Sequence, residues 1–221
     1  RPPGYRQRSF ATLGRESPNQ QLKCTMTELA LFPLHSVLLP GNKLPLKIFE
    51  VRYSDMIAEC MRKDMPFGVV LIYQGQETDT DIDIFTVGTS ARVCDWHNRD
   101  DGLLGITAEG LRRFQILSTR SLDNGLLMAE IEYMEEESTV AIPDQYYYME
   151  ELLRHVSSTR EPTLIENDFN RILYQLIYLL PLDNSLKQQL LEVPDCHERA
   201  TVLHAELIRL GIIQYVKAEN N

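Results

Sequence analysis

The sequence predicts an α+β protein whose first half, 26–142, is a barrel or sandwich of short strands with one helix, and whose second half, 143–221, is helical. Three observations carry this. Residues 29–53 (LALFPLHSVLLPGNKLPLKIFEVRY) are short apolar runs cut by Pro33, Pro40-Gly41 and Pro45. Proline lacks an N–H and fixes φ, which excludes a continuous helix and leaves strands or strand edges. Further on, β-branched and aromatic runs alternate with Asn, Asp and Gly punctuation, as in barrels and sandwiches. After Pro143 the apolar spacing becomes helical.

Taken in order, 29–53 reads as strand, turn, strand, helix, with Pro40-Gly41-Asn42 as the turn. From 49 to 60, Phe49, Tyr53, Met56, Ile57 and Cys60 recur at helical spacing, while Arg52, Asp55, Glu59 and Arg62 fall largely on other faces. Residues 67–73 (FGVVLIY), between Pro66 and Gln74-Gly75, form a buried strand. Strands are expected at 85–96, 103–107, 111–117 and 126–134, separated by 98–102 (NRDDG), by Glu109-Gly110 and by 123–125 (DNG). Helices follow at 146–156, 164–180, 185–192 and 196–213, with Asp195 and Glu198 as a capping box before the last.

At 221 residues and 43% hydrophobic content the chain can bury a real core. Its formal charge of -10 argues against a protein that lives on phosphate backbones, an affinity that needs clustered Lys and Arg. The first 25 residues hold Arg1, Arg6, Arg8, Arg15 and Lys23 against Glu16; with them set aside, 17 basic and 31 acidic side chains remain, a formal -14. That stretch is polar and poor in apolar residues, so it reads as a tail outside the fold, disordered or foreign to the natural chain, with a natural start at Met26. It lacks the apolar centre of a secretory signal. No run reaches the roughly 18 uninterrupted apolar residues of a membrane span. Cys24, Cys60, Cys94 and Cys196 are too scattered for a disulfide framework, which suits a reducing cytoplasm.

Leu31-Phe32-Pro33-Leu34, Leu38-Leu39-Pro40-Gly41, Leu44-Pro45-Leu46 and Ile48-Phe49-Glu50-x-Arg52-Tyr53 occur in that order. They resemble the start of the Lon substrate-binding domain, the N-terminal module of Lon proteases that also occurs in cereblon and in small stand-alone bacterial proteins. Leu39 stands where most relatives carry Phe. The resemblance continues through Val87-Gly88-Thr89-x-Ala91-x-Val93, Gly110-x-x-Arg113-Phe114-x-Ile116 and Ala129-x-Ile131-Glu132-Tyr133. It extends into Leu176-x-x-Leu179-Leu180-Pro181-Leu182, Lys187-Gln188-x-Leu190-Leu191-Glu192 and Glu198-Arg199-x-x-x-Leu203, and so covers nearly all of 29–210. It implies a PUA-like pseudo-barrel of about six strands followed by a helical bundle. It also implies a non-catalytic module that binds polypeptide: unfolded segments of clients, or a docking site on a protease, as an adaptor in proteolysis would. The physical route is an apolar groove between the halves or an unpaired strand edge. The alternative is a PUA-like RNA-binding or small-ligand module; acidity weighs against RNA, and the cysteine pairs of cereblon's zinc-bearing domain are missing.

No residue is nominated for catalysis, cofactor or metal, and no cofactor is expected. The phosphate-cradling G-x-x-x-x-G-K-[ST] loop is absent from these residues, which contain no Gly-Lys pair. Asp79, Asp81 and Asp83 alternate as in an EF-hand loop, but Ile84 stands where that loop needs Gly and Ser90 where it needs Glu, so a solvated acidic hairpin is expected. Cys94 and His97 have a ligand-like spacing without a second pair to complete a zinc site. His197 and His204 share a helical face as surface or interface residues. Tyr146-Tyr147-Tyr148 is expected to seal the two halves together, with at least one ring exposed. Binding residues are left unknown, because the family positions read as turn and core.

Overall fold

The computed structural model describes residues 27–77, 82–135, 138–157 and 168–213. The predicted tail, the centre of the acidic loop at 78–81 and the start of the helix predicted at 164–180 lie outside these. Among the described residues the fold is α+β, a mostly antiparallel sheet with five α-helices.

The strands are β1 (Thr27–Leu34), β2 (Lys43–Ile48), β3 (Phe67–Gln74), β4 (Asp83–Ile84), β5 (Val87–Asn98), β6 (Leu104–Ser121) and β7 (Leu127–Tyr133). The hydrogen-bonded path runs β1–β7–β6–β5–β3 and returns to β1 through a parallel pairing. β1 changes partner midway: 27–30 run antiparallel to β7 and 31–34 parallel to β3. β2 lies beside 104–109 of β6. Pro33 and Pro45 both sit where the strand pairs on one side, the place where a missing N–H costs no ladder bond.

Glu109-Gly110 is not the predicted turn. The two strands expected around it are one 18-residue strand, β6. The glycine is there for closeness: a Cβ at Gly110 would lie 2.4 Å from the Leu39 carbonyl oxygen. The real turn, at Pro40-Gly41-Asn42, docks on that spot. Gly41 N–H donates to Gly110 O and Gly110 N–H to Asn42 O, both at 2.9 Å, and Gly41 takes φ +74°.

Helix α1 (Val51–Lys63) buries Tyr53, Met56, Ile57 and Cys60 against Phe32 and Phe67, with Phe32 stacked on Tyr53 at 4.2 Å. Phe49, expected on that face, precedes the helix and is 52% exposed. Arg52, expected on an outer face, is buried. The second half supplies α2 (Tyr147–Ser157), α3 (Phe169–Leu179), α4 (Asn184–Glu192) and α5 (Cys196–Arg209). Asp168, Asp183 and Asp195 cap the last three, each side chain accepting backbone N–H groups of the first turn. Their apolar faces share one core with Val37, Leu39, Leu71 and Val87, and Asn42 Nδ2 donates to Tyr174 O of α3. The 37–42 stretch is thus the wedge between strands and helices.

Candidate functional site

Two buried arginines hold the seam between strands and helices. The last four carbonyls of a helix lack intrahelical donors and form the negative end of its dipole. The chain leaving α4 turns its carbonyls toward the seam. Arg113 of β6 donates to the oxygens of Leu191 (2.9 Å), Val193 (2.7 Å) and Pro194 (3.4 Å). Arg199 of α5, fully buried, donates to Leu190 O (3.0 Å), Val193 O (2.6 Å) and Asn170 Oδ1 (3.1 Å), with its guanidinium 4.5 Å over the Tyr174 ring. A cleft of about 320 Å³ opens beside this seam between β6 and α3, lined by Arg112, Arg113, Arg171 and Asp168 among others. Three of its polar side chains are engaged: Asp168 caps α3, Arg113 caps α4, and Arg112 lies 4.6 Å over Tyr133.

A second cleft, about 280 Å³, lies beside β2. Its walls are Phe32 and Leu34 from β1, Leu44 and Leu46 from β2, Phe49 between β2 and α1, and Tyr53 in the first turn of α1. Among the described residues β2 pairs on one side alone, with β6, so its other edge faces this cleft. Burial pushes the Tyr53 phenol up to about 12, against partial relief from Arg52. Glu50 and Glu77 supply carboxylates. Arg52 donates to Gly125 O at 2.7 Å and Glu77 O at 3.3 Å, which is what lets a helix-surface position be buried. Its Nε lies 2.8 Å from Glu50 Oε2, an ion contact whose angle falls short of a hydrogen bond. Glu50 Oε1 is buried and meets no hydrogen-bond partner among the described residues.

The model of the substrate-binding domain of ATP-dependent protease La (Lon) matches residues 28–209. The chain belongs to the Lon substrate-binding domain family. It is similar to the Lon N-terminal domain protein of Xanthomonas campestris, whose crystal structure aligns with a TM-score of 0.70 and 33% identity over 81% of this chain and 98% of that one. It is also similar to the Lon proteases of Amoebophilus asiaticus (27% identical over 79% of this chain and 23% of that protein) and Anaeromyxobacter dehalogenans (32% over 51% and 13%). The chain thus spans less than a quarter of the length of these Lon proteases.

The other candidates stand apart from both clefts. In this Lon domain Asp83 lies in β4, and Asp79 and Asp81 lie outside the described residues. Cys94 falls at a register shift of β5, with its Sγ on Thr107 O at 3.3 Å, while the His97 ring covers Gly105. Among the described residues no cluster of three or more His, Cys, Asp and Glu could hold a metal, and no helix is long and apolar enough to cross a membrane. His197 and His204 face Phe169 and Tyr148. Tyr147 is the exposed ring; Tyr146 stacks on Phe169, meets Thr201 and lies in the core shared with Val37, Leu39, Leu71 and Val87, and Tyr148 bonds His204. The ring and hydrogen-bond partners of Tyr146 and Tyr148 lie on α3 and α5.

Glu50, Arg113 and Arg199 are the residues that pattern reading passed over. Each lay inside a stretch that carries the family resemblance. The available signal was a charge at a position otherwise surrounded by core residues.

Proposed function

We propose that the cleft beside β2 is a polypeptide-binding site, in which an extended segment adds to the free edge of β2 and sets alternate side chains against Phe32, Leu44, Leu46 and Phe49. The observation that carries this is the conjunction of an unpaired strand edge with an apolar wall that ends in the half-exposed Phe49. Membership of the Lon substrate-binding family supports it. In this reading the closed strand path is the pseudo-barrel and α2–α5 the helical bundle expected from the sequence. The module is non-catalytic, resides in the cytoplasm, and serves proteolysis as an adaptor that holds clients or docks a protease.

The test is binding of a permanently unfolded polypeptide, a disulfide protein reduced and alkylated with iodoacetamide, followed by fluorescence anisotropy beside single-stranded RNA of similar length. Saturable polypeptide binding that weakens in Phe49→Ser supports the site. RNA binding in its place would move the nucleic-acid reading to the front.

A further inference from the structure

The cleft beside β2 holds a feature that strand addition does not use. Glu50 ends the β2 side of the cleft, and its Oε1 is buried with no donor among the described residues. A carboxylate oxygen removed from water without a donor is costly. Arg52 does not relieve it, because its NH1 and NH2 are directed to Gly125 O and Glu77 O and its Nε lies on the other oxygen, Oε2. As the residue before α1, Glu50 makes no side-chain capping bond either. Glu77, the second carboxylate of the cleft, accepts from His35 N through Oε1. The one ammonium of the lining, Lys47, is held away by Asp101 at 2.9 Å. The cleft is therefore apolar along its walls and ends in the carboxylates of Glu50 and Glu77, two residues that share the nearby guanidinium of Arg52, on a chain of formal charge -10.

We infer that the bound segment carries a lysine or arginine next to its apolar residues, and that this side-chain cation pairs with the Glu50 carboxylate, which turns its buried Oε1 toward the cleft to accept it. The inference rests on the polypeptide reading above and names the chemistry of its ligand. A side chain is the source, because the interior of a polypeptide carries no cation on its backbone. Strand alternation then sets every second residue of the segment on the face of Leu44 and Leu46, with the cation at the Glu50 end. A charge-assisted bond in a partly enclosed cleft outweighs a neutral one, so the cation decides which apolar segments are retained.

The test uses the full chain and a short fluorescein-labelled, N-acetylated peptide that alternates Val and Thr around one central residue: Lys, norleucine or Glu. Anisotropy is expected to show the Lys peptide binding on the order of tenfold more tightly than the norleucine peptide, with Glu weaker still. The preference is expected to shrink with salt. In Glu50→Gln the Lys and norleucine peptides bind alike. Equal binding of both to the unaltered chain overturns the cation inference and leaves the polypeptide reading in place. A Lys preference that survives Glu50→Gln overturns the assignment to Glu50. Failure of every peptide to bind overturns both readings. The three peptides on the unaltered chain decide the matter even if Glu50→Gln does not fold.

Discussion

The seam cleft between β6 and α3 and the cleft beside β2 hold buried polar atoms in opposite condition. At the seam, the guanidinium groups of Arg113 and Arg199 meet the carbonyls that α4 and the chain leaving it turn inward. Beside β2, Glu50 Oε1 and one whole strand edge are left without partners among the described residues. A buried charge whose bonds are all made holds a structure together; one with a bond left over invites a ligand. Cleft size alone would favour the seam, and the hydrogen bonds decide for β2.

Breaking the seam should cost the most stability. Arg199→Leu strands the oxygens of Leu190 and Asn170 and takes one of two donors from Val193 O, and urea melts are expected to show a loss of about 3–5 kcal/mol. Arg113→Ala, which unties β6 from the end of α4, should cost about 2–3 kcal/mol. Gly110→Ala drives a methyl toward the Leu39 carbonyl and should cost about 1–3 kcal/mol, seen as a lowered thermal midpoint. The cleft beside β2 should respond the other way round. Phe49→Ser changes stability by less than about 0.5 kcal/mol, yet weakens polypeptide binding.

The smallest effect is on pH. Lys47 bonds Asp101 and holds its carboxyl down to about 2, aided by the Leu103 N–H and Arg99. A carboxylate depressed in the fold relative to the unfolded chain stabilises the fold above its ordinary value near 3.8, and that contribution fades as pH falls toward 2. Asp101→Asn should flatten the acid limb of the stability curve in that window. Tyr53 works with the opposite sign: its raised phenol favours the fold below pH 10 and loses that effect as pH climbs to about 12.

Much of this was legible from residue order. Three prolines announced the strand, turn and strand of 29–53, and the shift of spacing after Pro143 announced the helices. Gly110 misled because glycine marks both turns and close approach, and only the docked turn at Pro40–Asn42 distinguishes them. Arg199 was marked only by its charge among core positions, since its burial depends on carbonyls at the end of another helix, and Arg52 likewise depends on the loops at Glu77 and Gly125. An unpaired oxygen such as Glu50 Oε1 is a property of assembled neighbours. The seam follows the family pattern, whereas the cleft's chemistry emerges only in three dimensions.

The most direct test of this division is hydrogen–deuterium exchange on the full chain with and without the Lys-centred peptide. The account predicts added protection across 43–53, covering β2 and the start of α1, with the seam at 111–113 and 168–174 unchanged. Protection gained at the seam with none at β2 would contradict it.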